Sequence, residues 1–223
     1  MSSDIKTLET KEEVAPGNSA RGTLFVVSSP SGGGKGTLIR RVLQAVPDLC
    51  YSISYTTRTP RSGEVDGREY RFVTRSDFEL MMDAGEFLES AIVHGNLYGT
   101  SRKQVLEETC AGRDIILEVD VQGAASVRKL VMDSVSVFIL PPSFDVLRRR
   151  LIARGTDSPE ELEIRLRNAP EELKEYSTFD YVIINDDLDR AAALLAAIVA
   201  AERSKLKRQE QVVQEVIRSF ERL

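Results

Sequence analysis

Thr23-Leu-Phe-Val-Val-Ser28 runs straight into Ser29-Pro-Ser-Gly-Gly-Gly-Lys35-Gly-Thr37, and Leu38-Ile-Arg-Arg-Val-Leu43 follows. The first run is β-branched and aromatic, the pattern of a buried strand; the last has helical spacing. Strand, glycine loop and helix in that order open a doubly wound α/β sheet. The middle segment is close to the pattern G-x-x-x-x-G-K-[ST], with two departures. Ser29 replaces the first glycine, and Gly36 stands where a hydroxyl residue should follow the lysine. Neither removes the physics. Backbone at Gly32, Gly33 and Gly34 can turn its N–H groups onto phosphate oxygens, and the helix behind adds a positive N-terminal dipole. Lys35 supplies a mobile full charge for β- and γ-phosphates. An ordinary glycine turn needs no lysine at this spacing, so Ser31 through Thr37 are expected to bind a nucleoside triphosphate. Without a hydroxyl at 36, a magnesium ion would meet Thr37, substrate phosphates and water.

Three further apolar runs read as parallel strands: Ile115-Ile-Leu-Glu-Val119, Val135-Ser-Val-Phe-Ile-Leu140 and Tyr181-Val-Ile-Ile184. Segments of helical pattern separate them, and Pro141-Pro142 ends the second. Between Thr56 and Thr109 charges, aromatics and single glycines replace continuous apolar sequence, as in an inserted lobe on a small sheet. Ser143 to Arg167 reads as a second, helical insertion with a loop at Arg154-Gly-Thr-Asp-Ser-Pro159. An alanine-rich helix starts at Leu188, and a charged amphipathic tail runs to Leu223. Val212, Val213, Val216, Ile217 and Phe220 would let that tail pack on the core or pair with another chain, giving a monomer or a homodimer.

The 223 residues suit one compact α/β domain with insertions, and 42% apolar with 29% charged residues excludes wholesale disorder. A net charge of −5 argues against a general binder of nucleic acid or anionic membranes, so an anionic ligand must meet local positive clusters. The start has no signal-peptide pattern, and Ala191 to Ala201 is too short to span a bilayer. Cys50, Cys110 and the single His94 form no zinc set; reduced thiols in a cytoplasm are expected, and His94 reads as a turn residue.

Asp120 follows the strand ending at Val119. A carboxylate there would face the phosphate loop across the sheet top and could hold magnesium or its water shell, unless it merely caps the next helix. In the inserted lobe, Ser54-Tyr-Thr-Thr-Arg58-Thr-Pro-Arg61-Ser-Gly-Glu64 leads on to Tyr70. Its arginines suit a second phosphate, since a planar guanidinium matches phosphate oxygens; alone, the segment would pass for a charged hairpin.

From about Arg21 to Ser204 the sequence resembles the guanylate kinase family in its bacterial form. The resemblance is carried by Ser28-Ser-Pro-Ser-Gly-Gly-Gly-Lys-Gly-Thr37, Thr56-Thr-Arg-Thr-Pro-Arg-Ser-Gly-Glu64, Gly95-Asn-Leu-Tyr-Gly-Thr100, Glu118-Val-Asp-Val-Gln-Gly123 and Ile184-Asn-Asp-Asp187, in the family's order and spacing. It implies a P-loop NTPase fold: a central parallel sheet flanked by helices, with an inserted GMP-binding lobe and a helical lid. The division would be a tail (1–20), a kinase domain (21–204) and a C-terminal helical tail (205–223). Within the domain, residues 21–53, 110–142 and 168–204 would form the core, 54–109 the lobe and 143–167 the lid.

The resemblance also implies transfer of the γ-phosphoryl of ATP to GMP, with dGMP as a related acceptor and magnesium as cofactor. Arg58, Arg61, Tyr70 and Tyr98 would hold the GMP phosphate, with Glu64 in the same set. Ser54, Glu89, Thr100 and Glu118 would read the guanine. Arg154 and Arg165 would clamp phosphate when the lid closes, and Asn185 would contact the adenine side. Lys35, Arg58, Arg154 and Arg165 are thus the expected catalytic set. Arg150 occupies another lid position, while Arg148 and Arg149 read as a solvated face. A non-catalytic peptide-binding relative would not need Lys35 and both arginines. A relative acting on a ribose bisphosphate would not need Ser54, Glu89 and Tyr98.

Overall fold

The computed structural model describes residues 21–61, 63–93, 95–155 and 158–221, without the side chain of Arg154. The expected N-terminal tail (1–20) and the turn at His94 lie outside the described residues. Strand β1 (Leu24–Ser28) is buried along its whole length, because it is the middle of a five-stranded parallel sheet ordered β2-β7-β1-β8-β9. Its partners are β7 (Asp114–Glu118) and β8 (Val135–Leu140), with Val26 opposite both Leu117 and Ser136. Strands covered on both faces read as unbroken apolar runs, which is why these were visible in the sequence. The outer strands are β9 (Tyr181–Ile184) and β2 (Leu49–Tyr51).

Strand β2 was not expected. It is three residues long and follows Asp48, held at φ 55°. So short a run has no readable period, and only pairing with β7 makes it a strand.

Helices α1 (Lys35–Ala45) and α7 (Leu188–Arg203) cover one face of the sheet. Leu38, Ile39 and Val42 meet Leu195 and Val199 above Phe25, Val137 and Ile183. The other face carries α3 (Arg102–Cys110) and α4 (Val121–Leu130), whose Val105, Ala124 and Val127 pack on Val26 and Leu117. A second sheet, ordered β4-β3-β6-β5, combines β3 (Tyr55–Thr56), β4 (Arg71–Phe72), β5 (Phe87–Val93) and β6 (Asn96–Ser101). Its small core forms where α2 (Arg75–Asp83) stacks Phe78 on Phe87, ring centroids 4.4 Å apart.

The helical insertion comprises α5 (Phe144–Arg154) and α6 (Pro159–Lys174). α6 starts with a reciprocal Ser158–Glu161 capping box and continues past 167, where the lid was expected to end. Pro170 sits inside it and does not stop it: Ala169, Leu162 and Leu166 remain packed on Leu147 and Leu151 of α5. The last helix, α8 (Leu206–Phe220), buries none of its residues. No helix among the described residues is long and apolar enough to cross a membrane.

At the edge of the sheet away from the glycine loop, buried Asp114 accepts from the Thr23 amide (2.6 Å) and from Arg203 Nε (2.6 Å). This ties α7 to both central strands. Asp114→Ala would leave the Thr23 amide buried without its acceptor and take the carboxylate from Arg203, which keeps the Pro47 and Asp48 carbonyls. It is expected to lower the unfolding free energy by about 2–3 kcal/mol, read by urea denaturation.

Candidate active site

The C-terminal ends of the parallel strands bring the phosphate loop, Asp120 and Asn185 to one edge of the sheet, where ligands bind in such folds. The loop turns through Gly32 (φ 85°) and Gly34 (φ 87°), the latter capping α1. Glycine is required at 34 twice over: φ is left-handed, and a Cβ would lie 2.5 Å from Asn185 Nδ2. No acidic residue of α1 itself occupies its first turn. Lys35 Nζ donates to the Val119 carbonyl at 2.7 Å. Thr37 is exposed in the same turn.

Several elements brace this loop. Asn185 Nδ2 donates to Gly33 O (3.0 Å), and Arg150 donates to Asn185 O (2.8 Å) and Gly33 O (3.3 Å). Arg165 Nη1 donates to Ser31 Oγ (2.7 Å), while the Ser31 amide donates to Glu172 Oε2 (3.0 Å). Asn185 and Arg165, both expected near nucleotide, are therefore on the loop itself. Arg150 belongs with them, and Arg148 and Arg149 are exposed. Nothing in the sequence marks Glu172 except that it lies seven residues beyond Arg165, on the same face of α6. Arg154 falls at the end of α5, but its side chain is outside the description.

In the lobe, Arg58 meets Glu64 with a two-pronged ion pair, 2.9 and 3.0 Å. Glu64 Oε2 also accepts from the Arg61 amide at 2.7 Å. Burial would raise the Glu64 carboxyl, but these bonds outweigh it and hold the group below the usual carboxylate range. The Arg58 guanidinium lies 5.3 Å from the Tyr70 ring centre, and Tyr70 meets Tyr98 edge-on at 5.8 Å. Glu64 thus acts as a brace that orients one arginine and the backbone of the next. Arg58, Tyr70 and Tyr98 thus lie together, with the Arg61 backbone held to the same Glu64.

Glu89 is buried on β5 and accepts from Thr100 Oγ1 at 2.6 Å. The Thr100 hydroxyl thus turns to Glu89, and the two side chains expected to read the guanine stand together. Burial pushes the Glu89 carboxyl above its ordinary value; Thr100 opposes this and Asp120 adds to it. A Cβ at Gly123 would lie 2.9 Å from Glu89 Oε2 and 3.2 Å from Asp120 Oδ1, so the two acids share one corner. Asp120 also caps α4 through the Gly123 amide (2.8 Å). Ser54 is buried in β3's approach to the same lobe.

Glu118 lies elsewhere. Tyr51 donates to its Oε2 at 3.1 Å, and a Cβ at Gly36 would be 3.3 Å from both of its oxygens. Glu118 therefore stands against the phosphate-loop helix and Asp120 beside Glu89, the reverse of the sides expected for them. They are two apart at the point where β7 gives way to α4, and local sequence cannot say which way each turns.

Cys50 donates to Glu108 at 3.1 Å. Burial first and then that acid push the thiol up, which keeps it protonated and a poor nucleophile.

Residues 118–123 thus touch everything: Glu118 backs the phosphate-loop helix, Val119 holds Lys35, and Asp120 and Gly123 abut Glu89. An anion cradle and a lobe that gathers an arginine, two tyrosines and a buried acid meet across one strand end. Such a pair defines a P-loop kinase of the nucleoside monophosphate class. The guanylate kinase family model matches residues 21–202. Guanylate kinases of Symbiobacterium thermophilum and Dechloromonas aromatica are 51% and 53% identical, over 86% and 81% of this chain and 90% and 89% of theirs. The crystal structure of guanylate kinase from Anaplasma phagocytophilum superposes with a TM-score of 0.72 at 34% identity, covering 85% of this chain and 90% of that one. The chain belongs to the guanylate kinase family.

Proposed function

We infer that the chain catalyses ATP + GMP = ADP + GDP, the reaction of its family. The observation that carries this reading is the adjacency of Lys35 and Glu89 to the two ends of residues 119–123. Lys35 would leave the Val119 carbonyl for the β- and γ-phosphates, beside the amides of residues 32 to 37. Arg58, Arg61, Tyr70 and Tyr98 would hold the GMP phosphate, with Glu64 keeping Arg58 aimed. Ionised Glu89 would accept from guanine N1–H and the 2-amino group, Asp120 would add a second acceptor beside it, and Ser54 would donate to O6.

The acceptor phosphate is already an anion, so no strong base is required; alignment, charge neutralisation and exclusion of water do the work. Arg165 and Arg150, with Arg154 at the end of α5, would bring positive charge to the transferred group as α5 and α6 close over it.

Among the described residues no three acidic, histidine or cysteine side chains converge as a metal cage. One carboxylate and one hydroxyl nonetheless fit magnesium, which keeps most of its waters and takes phosphate oxygens. Thr37 and Glu118 are nearest the loop for this, and Asp120, expected here from the sequence, is proposed for the base side instead. Bound with ATP, magnesium would neutralise charge on the β- and γ-oxygens. Use of ATP and GMP fits a cytoplasmic enzyme.

A coupled assay with magnesium-ATP and a panel of nucleoside monophosphates tests the reading. GMP and dGMP should be used, and AMP should be about 10⁴-fold poorer because it brings no N1–H and no 2-amino donor to the buried Glu89. Equal use of AMP, or no turnover with GMP, would refute it.

A further inference from the structure

Tyr51 has no part in the reaction as described so far. It ends β2, where the chain leaves the central sheet for the lobe. Gln104 of α3 grips the backbone on both sides: its Nε2 donates to Tyr51 O (3.2 Å), and its Oε1 accepts from the Ile53 amide (3.3 Å). Held this way, the phenol donates to Glu118 Oε2. A phenol has one proton to give, and here the geometry directs it to the carboxylate.

We propose that Tyr51 is a positioning residue for phosphoryl transfer: its hydroxyl pins the Glu118 carboxylate against the Gly36 backbone, where the common phosphate-loop pattern carries a side-chain hydroxyl. The proposal rests on the guanylate kinase reading above and names a residue of that site. Two features on opposite sides of the carboxylate support it. Gly36 supplies the room, since any side chain there would meet both Glu118 oxygens at 3.3 Å, and Tyr51 supplies the hold.

A glutamate has rotatable bonds that must be frozen to aim its charge. Glu118 immediately precedes Val119, whose carbonyl holds the Lys35 ammonium. An unpinned carboxylate could pair with Lys35 and withdraw that charge from the phosphates. Tyr51 keeps the acid and the lysine apart, with the acid turned to the first turn of α1.

The test uses the full chain and a fluorescent, non-hydrolysable ATP analogue, bound at varied magnesium without GMP. Tyr51→Phe is expected to raise the half-saturating magnesium concentration about tenfold, the effect of losing one bond to a charged group. Analogue binding without magnesium should stay near wild type, and the melting temperature should fall only by the few degrees that one hydrogen bond is worth. Gly36→Ala should weaken magnesium-dependent binding strongly in the Tyr51 protein and far less in the Tyr51→Phe protein, where Glu118 can move aside. An unchanged magnesium dependence in Tyr51→Phe, or the same Gly36→Ala factor in both backgrounds, would overturn the proposal. If Tyr51→Phe does not fold, Glu118→Asp replaces it as the background, because the shorter acid withdraws from both neighbours. Gly36→Ala should then be tolerated, and an undiminished penalty overturns the proposal. A wild-type chain that moves no phosphate from ATP to GMP would remove the functional reading, and the proposal with it.

Discussion

Lys35→Met is expected to lower kcat for ATP and GMP by about 10²–10³-fold, the scale of losing one preorganised donor to developing charge. The side chain starts the helix behind the glycine loop, and its ammonium makes one hydrogen bond to Val119 O. Methionine keeps the length and the helical preference but cannot follow a phosphate. The cost to folding is one hydrogen bond, about 1 kcal/mol. Turnover should therefore fall by that factor while the urea midpoint hardly moves. A variant that kept its kcat would dissolve the assignment of the loop as the triphosphate cradle.

Glu89→Gln is expected to reduce kcat/KM for GMP by about 10²–10³-fold, since two donors of guanine then face one acceptor and an amide. Binding of ATP should be untouched, because Glu89 lies on the lobe side of residues 119–123. The wild-type pH dependence gives a second readout. The Glu89 carboxyl sits above its ordinary value of 4.5 because it is buried beside Asp120. Only the ionised form accepts twice, so GMP affinity should fall as pH drops through that raised value. Glu89→Gln should lack this component, while the titration of the GMP phosphate is common to both proteins. Linkage fixes the sign for stability. A carboxyl raised in the fold contributes stability at low pH that is lost as pH rises through the folded value. At neutral pH the charge therefore costs stability, and Glu89→Gln should be no less stable than wild type. A fall in stability with unchanged preference for GMP over AMP would sink the base-reading role.

Much of the architecture was legible in the chain itself. β1, the loop and α1 are contiguous, and β1, β7 and β8 are buried on both faces, so each announces itself by composition within six residues. The acceptor arginines and tyrosines were legible as a motif, and Glu64 was legible as part of it. Its bracing of Arg58 was not, although the two are only six residues apart. β2 was invisible because three residues have no period. Arg150 looked like a lesser member of a basic helix face until α5 docked it on Gly33 and Asn185. Glu172 reaches Ser31 across 141 positions of chain.

What the sequence determined alone was the chemistry available: a glycine loop with one lysine, guanidiniums in an insertion, and acids at a strand end. These depend on residue type and near neighbours, and chain connectivity enforces them. What the tertiary structure decided was direction. Whether Glu118 or Asp120 faces the phosphate loop, that Thr100 meets Glu89, and which arginines touch the loop all follow from how separate elements pack. Side chains two residues apart can point to different pockets once a strand has turned into a helix, and only the packed neighbours, Gly36 for one and Gly123 for the other, choose between them.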